Sequence, residues 1–187
     1  MIEVEKKFQP TKEKLEKLLS DSEFITRKKI NDIYWDFSDY RLLKESTRFR
    51  LRNGSFELKI KNKLGGDQEI ENEEEIKKYF KTELKLSEFI KKNLVLLMEY
   101  KTDRVKYKNG IFEIDIDHMT SEKFKDFVFD MCEIELMVEK ESEIKDALLK
   151  IEDFAYKYGL EKTKIHKKEA CLKAMNQDAY EKVVLNN

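Results

Sequence analysis

Charged side chains alternate with apolar ones along several short segments of this sequence. Because alternate residues of a β-strand lie on the same face, each segment is expected to present one charged face and one largely apolar face. The charged faces of the acidic segments carry Glu3, Glu5, Glu113, Asp115, Asp117, Glu133 and Glu135. Those of the basic segments carry Arg48, Arg50, Arg52, Lys59 and Lys61. Carboxylates suit a hard divalent cation and guanidinium groups suit phosphate oxygens, so the pattern predicts a metal–polyphosphate site.

A simpler interpretation of the alternation is a sheet with one face in water. Asn-Gly pairs at 53–54 and 109–110 predict β-hairpin turns, and these turns allow the interpretation to be tested. The expected cross-strand pairs are Arg52–Ser55, Arg50–Glu57, Arg48–Lys59, Lys106–Glu113, Arg104–Asp115 and Thr102–Asp117. A favourable pair contributes roughly 0.2–1 kcal/mol, so structural roles explain the residues that meet an opposite charge.

Other charged residues are not balanced by such pairs. The basic excess consists of Arg48, Arg52, Lys59 and Lys61, and the acidic excess of Glu3, Glu5, Asp117, Glu133 and Glu135. Two like charges about 4 Å apart repel by about 4 kcal/mol at an effective dielectric constant of about 20. Water weakens this repulsion on a flat sheet, whereas bound ligands would have to compensate it inside a closed barrel.

The residues in question must be positioned by regular secondary structure. Apolar spacing of three and four predicts helices at 11–20, 73–92 with a break near Thr82, 141–158 and 166–184. Alternation predicts strands at 2–8, 31–37, 48–52, 55–61, 95–107, 111–117 and 132–138. We therefore predict an α+β fold with seven or eight antiparallel strands in a closed or nearly closed sheet. A single domain is expected to span residues 1–187.

The overall composition excludes several other classes of protein. Of 187 residues, 40% are hydrophobic, which is too large a share for a disordered chain. Charged residues make up 41%, but the net charge of −1 argues against a general nucleic-acid binder. No apolar run is long enough to span a membrane, and the first residues lack the apolar core of a signal peptide. The two cysteines, Cys132 and Cys171, are too few for a disulfide framework. We therefore expect a cytoplasmic protein. The oligomeric state stays open, and a homodimer is compatible with the sequence.

An ordered set of motifs in this sequence resembles the CYTH superfamily, also called triphosphate tunnel metalloenzymes. Glu3-Val4-Glu5-Lys6-Lys7 is similar to the ExExK signature of that superfamily. The similarity continues in register through DIYWD (32–36), FRLR (49–52), FELK (56–59), TDRVKY (102–107), IDID (114–117) and CEIE (132–135). The segments IEVEKKF, DIYWD and FELK look most like the thiamine-triphosphatase branch.

The resemblance implies an eight-stranded antiparallel β-barrel that forms a tunnel, with a charged interior and helices packed outside. It implies one or two Mg²⁺ or Mn²⁺ ions, held by Glu3, Glu5, Asp117, Glu133 and Glu135. It assigns triphosphate binding to Lys7, Arg50, Arg52, Lys59, Arg104 and Lys167, and the alternation adds Arg48 and Lys61. Lys168 is the alternative to Lys167, because the tail aligns loosely with the family.

The implied reaction is metal-dependent hydrolysis of the terminal phosphate of inorganic tripolyphosphate or of an organic triphosphate such as thiamine triphosphate. Phosphoryl transfer needs positioning and charge neutralisation more than it needs a covalent nucleophile. Either Glu133 or Glu135 would orient the attacking water. Tyr34 and Lys59 join this catalytic group, because the family places the aromatic residue matched by Tyr34 near the lysine matched by Lys59.

The sequence also departs from the family pattern. Arg48 stands where thiamine-specific enzymes place a tryptophan, which removes a flat surface for a thiamine ring and adds positive charge. Thr102 stands where some relatives carry a lysine. The stretch from Asp117 to Glu133 is longer than the usual turn, and we expect a lid or an edge element there.

Other functions remain open beside hydrolysis. Class IV adenylate cyclases share the implied fold, but cyclisation needs an ordered nucleoside, and the sequence shows no base-reading motif. A non-enzymatic polyphosphate-binding module would not need so many unpaired acids. Removal of a triphosphate from an RNA end is compatible with the fold, although the net charge gives no general RNA footprint.

The remaining candidates have structural explanations. His118 and His166 are too far apart in sequence to suggest a metal-binding pair, and we expect hydrogen-bonded or solvated roles for them. Trp35 is expected in the core. The acid-rich stretch 67–75 is expected to form a solvated loop and the start of a helix, where acids favour the helix dipole.

Overall fold

The computed structural model describes residues 2–61, 67–163 and 167–185. Its strands are β1 (Ile2–Phe8), β2 (Glu23–Asp36), β3 (Thr47–Arg52), β4 (Ser55–Lys61), β5 (Asp67–Ile70), β6 (Val95–Asn109), β7 (Phe112–Thr120) and β8 (Val128–Val138). Its α-helices are α1 (Lys12–Ser20), α2 (Arg41–Lys44), α3 (Glu73–Phe80), α4 (Leu86–Asn93), α5 (Ile144–Lys157), α6 (Lys167–Met175) and α7 (Gln177–Tyr180). A 3₁₀ turn covers Glu141–Glu143, and a π-helical turn covers Glu181–Leu185. His166 lies outside the described residues.

The strands form one eight-stranded sheet in the order β1-β8-β7-β6-β2-β3-β4-β5. The pairs β1–β8, β2–β3, β3–β4 and β4–β5 are antiparallel. Helix α5 packs on β1 and β8, and α3 packs on β4. These findings confirm the predicted α+β fold with eight antiparallel strands and helices packed on the sheet. Closure of the sheet into a tunnel stays a prediction. Within the described ranges, no helix combines the length and the apolar character needed to cross a bilayer.

The chain divides into two compact units, which are described separately. The first unit comprises Met1–Lys29, Thr102–Met119 and Val128–Lys167. The second unit comprises Ile30–Lys101, Thr120–Phe127 and Lys168–Asn187. The single domain expected over 1–187 stays a prediction.

In the first unit, alternation along β1 separates a core face from a charged face. Val4 lies opposite Leu136, and Phe8 lies opposite Cys132, in the β1–β8 pairing. All four residues are buried, and they share a core with Ile151 of α5. This packing fixes which face of β1 and β8 is left for charged side chains.

In the second unit, the β3–β4 hairpin has the register expected from the sequence. The turn residues at 53–54 have φ angles of 49° and 91°, and a type I′ turn requires such positive values at both positions. The strands pair Arg50 with Glu57 and Arg48 with Lys59. The charges of β3 and β4 therefore share one face.

The opposite face of this hairpin forms the core of the second unit. Phe49 and Leu58 are completely buried and pack with Ile76 of α3 and Leu86 of α4. Trp35 packs against the same cluster, which confirms its predicted place in the core. The break expected near Thr82 is also confirmed, because it separates α3 from α4.

The loop predicted at 67–75 is wrong in its first half. Residues Asp67–Ile70 form β5 and pair with β4, so that Glu69 lies opposite Lys59. Helix α3 follows, and the Asn72 side chain accepts hydrogen bonds from the N–H groups of its first turn. A short polar strand carries little alternation of apolar residues, and its pairing is made by backbone groups.

The second predicted hairpin turn is shifted by one residue. Asn109 ends β6, and the turn is formed by Gly110, with a φ of 60°, and Ile111. The Asn109 side-chain amide donates to the Asp21 carbonyl oxygen at 3.0 Å and to Tyr158 Oη at 3.2 Å. These tertiary hydrogen bonds hold Asn109 at the strand end, and residue type alone does not reveal them.

The long stretch from Asp117 to Glu133 is mainly β-strand. β7 and β8 extend into it from both sides and leave residues 121–127 as the connection. His118 Nδ1 lies 2.6 Å from Asp130 Oδ1, and both side chains are exposed. This contact agrees with a structural role for His118.

Candidate active site

Two groups of acidic side chains in the first unit could each hold a divalent cation. Carboxylate oxygens of Glu3, Glu5 and Glu135 lie within 4.8 Å of one another. Oxygens of Asp115, Glu133 and Glu135 form a second group within the same distance. Glu135 belongs to both groups, so the arrangement can accommodate one ion or two.

The pairing of β1 with β8 brings these acids together. Glu5 lies opposite Glu135, and Lys7 lies opposite Glu133. Both β8 glutamates are buried, whereas Glu5 is exposed. Asp115 comes from β7, the neighbour of β8 in the sheet, and is buried as well. The acidic set therefore has an exposed part on β1 and a buried part on β7 and β8.

Basic side chains of the same unit hold the buried glutamates. Arg104 Nη2 donates to Glu133 Oε2 at 3.0 Å, and Lys7 Nζ lies 3.0 Å from Glu133 Oε1. Lys106 Nζ donates to Glu135 Oε2 at 3.0 Å. Burial opposes ionisation, but the neighbouring carboxylates raise the pKa values of Lys7 and Lys106 above their ordinary values. Both lysines therefore remain charged beside the acids.

Asp117, which the resemblance assigns to the metal, is bound by cations of the protein. It accepts hydrogen bonds from Arg104 Nε at 2.6 Å and Nη2 at 2.7 Å, and Lys167 Nζ lies 3.4 Å away. Asp115 is also buried and contacts two cations, with Arg104 Nη1 2.5 Å from its Oδ2 and Lys106 Nζ 3.2 Å from its Oδ1. Asp115 lies in the acidic group with Glu133 and Glu135, and the assignment of Asp117 to the metal stays a prediction.

The electrostatics of this group favour a bound cation. Burial raises the pKa of Glu135 to about 7, the charges of Asp115 and Glu3 add to the shift, and Lys106 opposes it. Burial also raises the pKa of Asp115. A divalent ion would stabilise the ionised form of each carboxylate, because its positive charge compensates for the hydration that burial removes. An all-oxygen donor set of closely spaced carboxylates fits a hard ion such as Mg²⁺ or Mn²⁺.

In the second unit, two arginines on the charged face of β3 are held by acids. Arg52 donates to the buried Asp32 through Nε at 2.8 Å and Nη2 at 2.9 Å. Arg50 Nε donates to Glu57 Oε2 at 2.6 Å, and its Nη1 donates to Tyr34 Oη at 3.0 Å. Burial opposes the charge of both arginines, but these partners raise their pKa values. The guanidinium groups are therefore charged and fixed in orientation.

Tyr34, which accepts a hydrogen bond from Arg50, also contacts a second tyrosine that the sequence analysis misses. Tyr100 donates to Tyr34 Oη at 3.1 Å, and the two rings stack with centroids 5.8 Å apart. Lys59 Nζ, which the resemblance places near Tyr34, lies 2.9 Å from Glu69 Oε1. The period of two that links Tyr100 to Arg104 along β6 is the signal that could have pointed to Tyr100.

The two candidate tail lysines have different surroundings. Lys167 lies beside Asp117 in the first unit. Lys168 belongs to the second unit, where burial and the positive charges of Arg48 and Lys61 lower its pKa. Lys167 is therefore paired with a carboxylate, whereas Lys168 is affected by basic side chains, and the choice of tunnel lysine stays a prediction.

The predicted site residues divide between the units. The first unit contains Glu3, Glu5, Lys7, Arg104, Asp117, Glu133, Glu135 and Lys167. The second contains Tyr34, Arg48, Arg50, Arg52, Lys59 and Lys61. Each set is brought together by strand pairing within its own unit.

Comparison with known proteins gives a family match over most of the chain. A model of the CYTH domain matches residues 1–168. The PH1819 protein from Pyrococcus horikoshii OT3 is 24% identical, with a TM-score of 0.60 over 86% of this chain and 92% of that chain. A protein from Vibrio parahaemolyticus described as a candidate adenylate cyclase is 15% identical, with a TM-score of 0.60 over 91% and 97%. HpAC1 from Hippeastrum, described as having a dominant triphosphatase activity, is 16% identical, with a TM-score of 0.53 over 89% and 93%. These structural similarities concern the fold, and the search of curated proteins gives no match.

Proposed function

The chain belongs to the CYTH domain family, and on that premise we propose that it is a metal-dependent triphosphatase. It would hydrolyse the terminal phosphate of inorganic tripolyphosphate or of an organic triphosphate such as thiamine triphosphate. The observation that carries this proposal is the buried carboxylate group of Asp115, Glu133 and Glu135, whose oxygens lie within 4.8 Å of one another. Burying three carboxylates costs free energy, and a module that only binds phosphate would not need them.

The acidic set of the first unit would hold one or two Mg²⁺ or Mn²⁺ ions. When bound, such an ion acts as a Lewis acid on phosphoryl oxygens and lowers the pKa of a bound water. Glu3, Glu5 and Asp115 would be ligands, and Glu135, which is shared by the two groups, would bridge them. Glu133 would then orient the attacking water, since Arg104 and Lys7 hold its carboxylate in place.

Basic residues would bind the phosphate oxygens. In the second unit these are Arg48, Arg50, Arg52, Lys59 and Lys61, and in the first unit they are Lys7, Arg104 and Lys167. Guanidinium forks suit phosphate because they donate two parallel hydrogen bonds. Tyr34 would act as a positioning residue, because its hydroxyl group accepts the Arg50 hydrogen bond and holds that fork.

A substrate panel tests this proposal. Phosphate release would be measured from tripolyphosphate, thiamine triphosphate and ATP with Mg²⁺, with Mn²⁺ and with a chelator, and cyclic AMP would be measured in parallel. We expect phosphate release that requires a metal and no cyclic AMP. Because Arg48 replaces a flat aromatic surface, we expect no preference for thiamine triphosphate. Absence of hydrolysis with every substrate would contradict the proposal and favour a binding module.

Adenylate cyclase activity is the second candidate. It is favoured by the description of the Vibrio parahaemolyticus protein, to which this chain is similar in fold. Formation of cyclic AMP from ATP in the same panel would establish it. A cytoplasmic location, the absence of nucleic-acid binding and a homodimeric state belong to the proposal as further predictions.

A further inference from the structure

Lys106 of β6 places one ammonium group among three carboxylates of the first unit. Its Nζ lies 2.7 Å from Glu113 Oε2, 3.2 Å from Asp115 Oδ1 and 3.0 Å from Glu135 Oε2. The hairpin pattern in the sequence predicts only the contact with Glu113. Asp115 and Glu135 are both buried, so Lys106 reaches beyond an ordinary cross-strand pair into the interior of the unit.

The two buried partners of Lys106 belong to the candidate metal groups. Asp115 is a member of the buried group, and Glu135 is shared by both groups. Among the described residues, Lys106 is the cation that contacts Glu135. A buried carboxylate that loses its only cation is strongly destabilising, so Lys106 supplies the positive charge that Glu135 needs when no metal is bound.

The third partner differs from the other two. Glu113 is not a member of either metal group, and its side chain is 46% exposed. A lysine ammonium group is carried on a flexible stem, so Lys106 can keep its contact with Glu113 while it withdraws from the buried acids. Mg²⁺ binds carboxylate oxygens at about 2.0–2.1 Å and carries twice the charge of an ammonium group held at about 3 Å, so it competes effectively for the same carboxylates.

We propose that Lys106 is an exchangeable counterion of the metal site. It neutralises Asp115 and Glu135 in the metal-free protein, and it retains only Glu113 when a divalent ion binds. This inference rests on the proposed function, which assigns the acidic set to a metal, and it adds a positioning residue that sets the metal affinity. Lys106 thereby stabilises the metal-free chain and weakens metal binding, because two cations share the same carboxylates.

Calorimetric titration of metal-stripped protein with Mg²⁺ tests this inference. Lys106→Gln should lower the Kd for Mg²⁺ about tenfold, because it removes a competing positive charge. Lys108→Gln is the matched control, because Lys108 is an exposed lysine two residues further along the same strand, and it should change Kd by no more than about twofold.

Thermal unfolding gives a second readout of the same variants. The Tm of metal-free Lys106→Gln should lie below that of the parent, and Mg²⁺ should raise it by more than it raises the parent's Tm. An unchanged or weaker affinity for Mg²⁺ in Lys106→Gln would overturn the inference, because removal of a lysine that merely holds the carboxylates in place would not strengthen metal binding.

Glu113 gives a test that does not depend on the folding of Lys106→Gln. Glu113→Gln should raise the Kd for Mg²⁺ about threefold, because the displaced ammonium group loses its alternative partner. In the Lys106→Gln background the same change should have an effect of no more than about 1.5-fold. Equal effects in both backgrounds would overturn the inference, since Glu113 would then act through its own charge. An unchanged Kd in Glu113→Gln alone would overturn it as well.

Metal binding and turnover together separate failure of this inference from failure of the proposed function. A parent protein that binds Mg²⁺ but hydrolyses no triphosphate, with tighter binding in Lys106→Gln, would refute the enzyme and support the counterion. Metal-dependent hydrolysis with an unchanged Mg²⁺ affinity in Lys106→Gln would leave the triphosphatase intact and overturn the counterion. A parent protein that binds neither Mg²⁺ nor Mn²⁺ would overturn both.

Discussion

At the scale of single residues, Asp115 and Asp117 show how similar positions acquire different roles. Both lie on the same face of β7, and the hairpin register expected from the sequence places Arg104 opposite Asp115. In the structure, Arg104 donates two hydrogen bonds to Asp117. Asp115 forms ion pairs with Arg104 and Lys106, and its oxygens lie in the acidic group with Glu133 and Glu135.

Exchanging each aspartate for asparagine should therefore have different effects. Asp115→Asn should weaken Mg²⁺ binding and lower phosphate release by about 100-fold or more, because it removes one negative charge from the group of Asp115, Glu133 and Glu135. Asp117→Asn should lower the free energy of unfolding by about 1–3 kcal/mol, because it weakens two charged hydrogen bonds with Arg104, while Asp115 and Glu133 still contact that guanidinium group. Calorimetric Mg²⁺ titration and denaturant unfolding measure the two effects. Loss of Mg²⁺ binding in the Asp117 variant alone would restore the original assignment.

The raised pKa of Glu135 predicts a dependence on pH. Its ordinary value is 4.5 and burial raises its folded-state pKa to about 7, so the folded protein binds more protons than the unfolded chain between these values. Stability of the metal-free protein should therefore fall as pH rises through this window, by up to about 3 kcal/mol. Glu135→Gln should remove this slope in denaturant unfolding measured from pH 4 to pH 8. The raised pKa of Glu135 would be contradicted if the free energy of unfolding of the parent increased between pH 4 and pH 8 and Glu135→Gln showed the same pH dependence.

At the scale of elements, period-two alternation predicts the strands that have one core face and one charged face. It identifies β1, β3 and β4, and the Asn-Gly turn at 53–54 fixes the register of the β3–β4 hairpin. It misses β5, whose short polar segment has no apolar face. It misplaces the second turn, because tertiary hydrogen bonds of Asn109 decide where β6 ends. The local pattern thus predicts a strand where buried residues recur at every second position. It fails where hydrogen bonds to residues distant in sequence determine the end or the pairing of a strand.

The contact of β2 with β6 through paired tyrosines gives a test at this scale. Tyr34→Phe removes the oxygen that accepts hydrogen bonds from Arg50 and Tyr100. We expect the free energy of unfolding to fall by about 1–3 kcal/mol, because two hydrogen bonds to the buried Tyr34 hydroxyl group are lost. KM for tripolyphosphate should rise as the Arg50 fork loses its support, with a smaller change in kcat.

Two further variants serve as controls for the tyrosine pair. Tyr156→Phe should leave stability and KM unchanged, since Tyr156 is 87% exposed. Combining Tyr34→Phe with Tyr100→Phe should cost less stability than the sum of the two single changes, because both remove the same Tyr34–Tyr100 hydrogen bond, and it should not recover KM. Recovery of KM in the double variant would show that Tyr34 does not act through Arg50.

At the scale of the whole molecule, the net charge of −1 conceals two segregated sets of charge. The first unit holds the acidic set together with Lys7, Arg104 and Lys106, and the second holds the basic face of β3 and β4. Sequence alternation predicted these charged faces, and the ligands named from the family resemblance stay predictions. The pairing of Arg104 with Asp117 was missed, because the turn before β7 is shifted by one residue. Tyr100 was not singled out, because its role depends on buried side-chain contacts, and only its period-two spacing from Arg104 could have pointed to it.

Ligand binding should stabilise the folded chain as a whole. A divalent ion that binds the acidic set only in the folded state should raise the free energy of unfolding by about 2.7 kcal/mol at 100 times its Kd. Adding Mg²⁺ should raise the Tm of the parent and leave the Tm of Asp115→Asn unchanged. In the parent, a chelator should abolish the rise, and removal of the chelator should restore it. An equal rise in both proteins would place the ion elsewhere.

The central claim is that buried carboxylates of the first unit support metal-dependent hydrolysis of a triphosphate. Phosphate release from tripolyphosphate, by metal-stripped parent protein and by Asp115→Asn with and without Mg²⁺, tests it most directly. We predict release by the parent only when Mg²⁺ is present, and a loss of about 100-fold or more in the variant. Release that persists in a chelator, or equal rates for parent and variant, would contradict the account.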